Sequence, residues 1–382
     1  MLGTVVAIFP PMSHALPFSF LRYSLGLSQE FEGASHALTH EEWVELFKFA
    51  KEQRLAGLFY SGMQKLPVEL RPPQKLAFRW TVDAESIRGR NAKVNEVAAM
   101  LTRKFNEVGC RAFMLKGPAN ALFYPEPQLR QPGDLDFYIA GGKEFVLNKI
   151  REASLPEVFH MSSHHASFMY DDVEVEAHFV ATDAYSPKKN TALQKFLSEE
   201  LATSARTPVA SAPADEIGFY APSVAYALVM QLSHLKQHFF KGGIGLRQLV
   251  DYHQLLLLCS ADDRAKVAAQ LKSCGLDKMA GAVMYALGEV LALEESRMLC
   301  APDKARGGTL LKVVLEGGNF GWYAEDFNQP VIARWIKDRV RFLRLLPFDA
   351  REVFWREIKY WFKTLRLIPR RITRRRLALG NR

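Results

Sequence analysis

Apolar side chains return at helical intervals through the first third of the chain. In "LTHEEWVELFKFAKEQRLAGLFYSGMQKLP", Trp43, Leu46, Phe47 and Ala50 fall on one face, Thr39 stands at the N-cap, and Glu41 and Glu42 occupy the first turn, where acidic groups complement the helix dipole. A longer pattern from Gln74 to Val108 stops at Gly109, a residue suited to a helix C-cap. Residues 15–110 therefore read as helical, and 1–110 as an N-terminal helical region.

The pattern then changes to alternating strands and helices. "RAFML" (111–115) reads as a strand, Pro118–Tyr124 as a short helix with proline in its first turn, and "DLDFYIA" (134–140) as a strand ending at Gly141 and Gly142. Lys143–Glu152 reads as a helix, and "HHASFMY" and "VEVEAHF" as a hairpin around Asp171 and Asp172. This α/β core spans 111–185. From Pro222 to about Leu293 the period is helical again, with "SVAYALVMQLSHLKQHFF" and "LRQLVDYHQLLLLC" as packed helices joined by "KGGIG". A helical C-terminal domain, 186–330, and a basic tail, 331–382, complete the division.

Composition narrows the class. With 382 residues, 48% hydrophobic and 24% charged, the chain is an ordinary globular one, neither disordered nor fibrous. Cys110, Cys259, Cys274 and Cys300 are far apart, without CxxC or zinc-like histidine spacing, which predicts free thiols and a cytoplasmic setting. No apolar run approaches the roughly 18 to 20 residues of a spanning helix. The opening "MLGTVVAIFPPM" lacks a basic start and is broken by Pro10 and Pro11, so it reads as a frayed tail rather than a signal peptide.

The formal charge of +9 is unevenly spread. Residues 331–382 hold 16 Lys and Arg against 4 Asp and Glu, a net of +12, which leaves −3 for residues 1–330. The body therefore carries no general nucleic-acid signature. In "WREIKYWFKTLRLIPRRITRRR", Trp355, Ile358, Trp361, Phe362 and Leu365 share a helical face, with Arg356, Lys359, Lys363 and Arg366 around it. Such a helix either lies on an anionic membrane or acidic partner, or docks on the protein body with its basic face in water.

The candidate chemistry lies in "LKGPANALFYPEPQLRQPGDLDFYI". Asp134 and Asp136, at i and i+2 of a strand, point to one face with Cβ atoms about 6.5 to 7 Å apart, close enough to share one or two divalent cations. In "VEVEAHF", Glu174, Glu176 and His178 form one face opposite Val173, Val175, Ala177 and Phe179. That polar face is either the solvent side of an edge strand or the source of a third carboxylate. The Lys116-Gly117 step allows close approach of a phosphate, and Arg130 is able to clamp one bidentately. Each also has a bland reading, as a tight turn with a surface lysine and as an arginine tied to its own loop. His164 and His165 precede the carboxylate strand, and one of them shares its face. Arg247 and Asp251, four apart, form the spacing of a surface ion pair.

The order and spacing of "LKG…ALFYPEPQLRQPGDLDFYI", "SHHASFMYDDVEVEAHF" and "LSHLKQHFFKGGIGLRQLVDYHQLL", with the N-terminal helical segment, resemble the uncharacterised nucleotidyltransferase family of bacteria. That family is a branch of the polymerase-beta-like nucleotidyltransferase superfamily. The likeness covers roughly residues 15–295. It implies an α/β (α+β) fold, a small mixed-sheet nucleotidyltransferase core flanked by N-terminal and C-terminal helical regions.

It also implies a Mg²⁺-dependent transfer of NMP from an NTP to an acceptor hydroxyl, with two ions held by Asp134, Asp136 and Glu176. Glu174 is the alternative third carboxylate. Lys116, Gly117 and Arg130 would orient the phosphates, and Lys236 or Arg247 would face the triphosphate across the cleft. The superfamily's Gly-Ser step is absent here, and Lys116-Gly117 stands in its place. The acceptor is open: a small molecule, a sugar phosphate, an RNA end or a protein side chain would each suit such a site. The rival readings are a non-catalytic nucleotide-binding member, and a peripheral membrane or assembly protein acting through its tail.

Overall fold

A threonine cap and a first-turn glutamate start one N-terminal helix as their spacing predicts. The structure, a computed structural model, describes residues 15–31, 37–204, 218–241, 243–317 and 330–379. The N-terminal segment through residue 14 and Gly242 of the "KGGIG" connection lie outside these. Thr39 Oγ1 accepts from the Glu42 N–H (3.2 Å), and the Glu42 carboxylate accepts from the Thr39 N–H (2.8 Å), a reciprocal capping box. This opens α2 (His40–Glu52), which follows α1 (Ala15–Leu25) and precedes α3 (Ala56–Lys65) and α4 (Gln74–Glu107).

A five-stranded mixed sheet follows, built from β1 (Ala112–Met114), β2 (Leu135–Ile139), β3 (His160–Met161), β4 (His165–Tyr170) and β5 (Val173–His178). Its order is β1-β2-β5-β4-β3, with only the β2–β5 pair parallel. The β4–β5 turn holds Asp171 (φ 47°) and Asp172 (φ 61°) in the left-handed region, the backbone of a tight two-residue hairpin. The short α5 (Pro118–Ala121) links β1 toward β2, and α6 (Gly142–Glu152) follows β2.

The remaining helices are α7 (Pro187–Thr203), α8 (Val224–Lys241), α9 (Leu246–Leu258), α10 (Ala261–Cys274), α11 (Asp277–Leu291), α12 (Lys304–Gly317) and α13 (Val331–Leu379). Backbone angles at Asp349 (φ −156°, ψ 86°) break α13 into two arms. No helix among the described residues is long and apolar enough to cross a membrane. All four cysteines are free thiols, three of them buried.

Two cores hold the fold together. One lies on the inner sheet face, where Leu135, Phe137, Val173, Val175 and Ala177 meet Val97, Leu101 and Phe105 of α4. The other joins helices from both ends of the chain: Phe20, Trp43 and Phe59 share it with Leu249, Val283 and Leu287. Thus the N-terminal and C-terminal helical stretches bury their apolar faces in one cluster. The 34-residue α4 serves both cores, placing Trp80 and Ala84 in the helical core and its second half on the sheet.

In the tail, Trp355 and Ile358 are half-buried whereas Trp361 and Phe362 are exposed. The side chains of Lys363, Leu365 and Arg366 lie outside the described set.

Candidate active site

The alternation of β5 decides which side chains leave the core. Val173, Val175 and Ala177 are buried in the sheet, so Glu174, Glu176 and His178 point to the opposite face. Parallel pairing sets Asp136 of β2 beside Glu176 and Tyr138 beside His178. Antiparallel pairing sets Ser167 of β4 beside Glu176, and His165 beside His178. Of the two adjacent histidines it is therefore His165 that shares the carboxylate face. Asp134 lies one residue before β2 rather than within it. Even so, one carboxylate oxygen each from Asp134, Asp136 and Glu176 lie within 4.8 Å of one another. Donor atoms of His165, Glu176 and His178 form a second group of the same kind. Glu174 is exposed and belongs to neither group.

Two cations meet this acidic patch. Asp136, 2% exposed, lies 3.1 Å from Lys116 Nζ and 3.0 Å from His178 Nε2. Burial alone would push its carboxyl up, but Lys116 and His178 outweigh it and hold Asp136 well below the usual carboxylate range. His178 shares its Nε2 proton with Glu176 Oε2 (3.1 Å); these bonds overcome its burial and raise it to about 9. Lys116 is likewise raised, because Asp136 and Asp134 overcome the cost of burial. Asp134 is exposed and makes no direct ion pair among the described residues, and chiefly the charge of Asp136 pushes it up to about 6. His165 Nδ1 is 3.3 Å from Glu176 Oε2, and burial lowers this imidazole below its ordinary value.

The Lys-Gly step is fixed by backbone geometry. The Leu115 N–H donates to the Asp136 carbonyl (2.9 Å), which carries the chain from β1 past the start of β2. Gly117 then adopts φ 60° and ψ −114°, a conformation that a side chain would strain.

These groups form one wall of a cavity of about 280 Å³, and α8 and α9 form the other. On α8, His234, His238 and Lys241 recur at i, i+4 and i+7 and line it. His234 Nε2 donates to the Ala181 carbonyl (2.9 Å), which leaves Nδ1 to accept from Lys116 Nζ at 3.5 Å. Burial and the charge of Lys116 keep both imidazoles neutral: His234 is well below its ordinary value, and His238, also beside Lys241, is pushed down to about 3.

The structure does not bring Lys236 into this cavity. At about 100° per residue, Lys236 is turned some 200° from His234 on the same helix. It is buried on the far side, where it bonds the Gly275 carbonyl (2.7 Å) and pairs with Glu352 (3.0 Å) and Asp349 (3.7 Å) of α13. Arg130 does reach the cavity wall, but its fork is taken by a carboxylate of the protein. Nε and Nη2 donate to the two oxygens of Asp251 at 2.7 and 2.6 Å, and the Tyr124 hydroxyl donates to the same group at 2.7 Å. Asp251 is thus buried with Arg130 and does not form a surface pair with Arg247. Arg247 lines the cavity beside Gly133, with Nη1 donating to the carbonyls of Gln131 (3.1 Å) and Pro132 (3.4 Å). Its Nε is buried without a hydrogen-bond partner among the described residues.

Sequence reasoning missed the His234, His238 and Lys241 row, although the i, i+4, i+7 spacing was available to find it. The Arg130–Asp251–Tyr124 triad gave no comparable signal, since Asp251 is more than a hundred positions from both Arg130 and Tyr124.

The chemistry of this donor set suits a hard divalent cation: three converging carboxylates, partly offset by a lysine and a protonated histidine. The model of a family described as "Uncharacterised nucleotidyltransferase" matches residues 39–292. Among curated proteins none matches. A solved structure, an antigenic nucleotidyltransferase-like protein from Paracoccidioides brasiliensis, is similar at 14% identity with a TM-score of 0.36, covering 56% of this chain and 95% of that one.

Proposed function

Because the chain belongs to the uncharacterised nucleotidyltransferase family, we propose that it transfers NMP from an NTP to an acceptor hydroxyl, releasing pyrophosphate, at the pocket of Asp134, Asp136 and Glu176. The observation that carries this reading is the convergence of those three carboxylates beside the Lys116-Gly117 step. Mg²⁺ held by them would acidify the acceptor hydroxyl and offset charge developing on the transferred phosphoryl group.

The protein's own residues have separable tasks. Lys116, now paired with Asp136, supplies a positive charge at the phosphate end, and Gly117 leaves the backbone open to close approach. Arg247 supplies a second positive charge, a guanidinium, on the opposite wall. Arg130 acts through Asp251 and Tyr124 as a positioning residue for the loop leading to Asp134. His178 orients Asp136 and Glu176 through one shared proton. With charges fixed before the substrate arrives, rate enhancement comes mainly from positioning and electrostatics.

The test is titration of the purified protein with each of the four NTPs, with and without Mg²⁺, following both binding and pyrophosphate release. The Asp134→Ala/Asp136→Ala double variant is the control. Metal-dependent binding that the variant loses is the expected result. Failure of the well-folded protein to bind any NTP would overturn the proposal.

A further inference from the structure

The break at Asp349 folds α13 back on itself. Across the two arms the Trp335 indole N–H donates to the Tyr360 hydroxyl (3.0 Å), Arg339 pairs with Glu357, and Arg356 lies over the Phe342 ring. The residue numbers rise on one arm as they fall on the other, so the arms form an antiparallel helical hairpin.

One side of this hairpin is fastened to the protein. Phe342, Leu345, Phe348 and Val353 are buried in the helical core, and the Phe348 ring lies 4.6 Å from that of Phe239. At the corner, Lys236 of α8 and Lys278 of α11 meet Asp349 and Glu352. Further along, Lys359 Nζ reaches the Asp183 carboxylate (3.3 Å) and the Ala184 carbonyl (3.0 Å). Asp183 in turn meets His164 Nε2 (3.5 Å) and Gln237 Nε2 (2.9 Å), two side chains that line the pocket. The second arm is therefore fixed at the pocket rim.

The other side carries large apolar groups into solvent. Ile336, Val340 and Leu343, at i, i+4 and i+7, are 50, 41 and 63% exposed. Phe354, Trp361 and Phe362 on the second arm are 59, 48 and 63% exposed. Isolated exposed apolar residues need no explanation, but a run of them along two paired helices does. These six lie within a segment whose sequence, 331–382, carries a net +12.

We infer that the α13 hairpin is a docking surface for an anionic lipid bilayer, holding the pocket rim at the membrane surface. Charge complementarity selects this occupant: basic side chains meet acidic headgroups, while aliphatic and aromatic groups enter the headgroup boundary. A nucleic-acid partner would use the charge but leave Ile336, Val340 and Leu343 without a role. A second copy of the chain would bury the apolar groups but bring together two strongly positive segments. The inference concerns binding, and stands whether or not the pocket turns over a nucleotide.

The experiment is co-sedimentation of the full chain with phosphatidylcholine vesicles, with and without phosphatidylglycerol, at low and high salt. The wild type is expected to bind the anionic vesicles at least about tenfold more tightly, with binding weakened by salt. Leu343→Asp/Trp361→Asp/Phe362→Asp changes only exposed positions, so it should keep the wild-type circular dichroism melt yet lose most vesicle binding. No binding of the folded wild type to anionic vesicles would overturn the inference. So would equal binding by the triple variant, retention on single-stranded RNA without vesicle binding, or a wild-type dimer that the same variant splits.

Discussion

Two charge clusters, one fully buried and one open to solvent at Asp134, border the same pocket and are built on opposite plans. In the Arg130–Asp251–Tyr124 cluster both carboxylate oxygens are taken, the guanidinium is engaged through two parallel bonds, and one acid balances one base. In the other, Asp134, Asp136 and Glu176 face Lys116 and His178, so acid exceeds base, and Asp134 has no direct ion partner among the described residues. The first arrangement is complete within the protein and fixes a loop. The second leaves an excess of negative charge, which a proton on Asp134 or an added cation would offset.

Substitutions should separate the two plans. The largest effect is expected from Asp136→Ala, with NMP transfer reduced about a hundredfold or more while circular dichroism shows an intact fold. A fully active Asp136→Ala protein would dissolve the distinction. Asp251→Ala should act in the opposite sense, costing roughly 3 to 5 kcal/mol in denaturant unfolding because it strands the buried Arg130 charge. The double change Arg130→Met/Asp251→Leu should cost less than Asp251→Ala alone.

The pH dependence of the metal-free protein should also differ in sign between the clusters. Asp134, raised to about 6 when folded, takes up a proton as pH falls through 6, whereas the unfolded chain waits until about 4. Falling pH in that window therefore stabilises the wild type relative to Asp134→Asn, by thermal melting in chelator. Asp251 is depressed in the fold, because Arg130 outweighs its burial. Its contribution is present above about pH 4 and is lost on further acidification. The smallest effect is expected from Glu174→Gln, which should leave NTP affinity unchanged while Glu176→Gln weakens it, as read by calorimetric titration.

Legibility followed sequence distance. The Thr39 cap, the Asp171-Asp172 hairpin and the outward face of Glu176 and His178 depend on neighbours a few positions away, and each stands where local pattern placed it. Asp134 was assigned to a strand that begins one residue later, yet it remains in reach of Asp136, since a single residue spans little more than 3 Å. The opposite wall was harder to read. Lys236 and His238 look equivalent along the chain, but helical rotation sends one to α13 and the other to the pocket. Arg130 looked free to bind phosphate because nothing near it in sequence announces Asp251, 121 positions away. Two-ended arrangements of this kind belong to tertiary packing.

α4 gives the molecule a further property. At 1.5 Å per residue its 34 residues extend about 50 Å, sealing the helical core with one half and the sheet core with the other. Near its midpoint the Asn91 amide donates to the carbonyls of Gln128 (2.7 Å) and Arg130 (2.8 Å), pinning the loop that leads into the acidic cluster. A continuous rod through both halves resists hinge bending between them. Opening of the pocket is therefore expected from side-chain and rim movements rather than from a clamshell, and amide exchange through the middle of α4 should be among the slowest in the body.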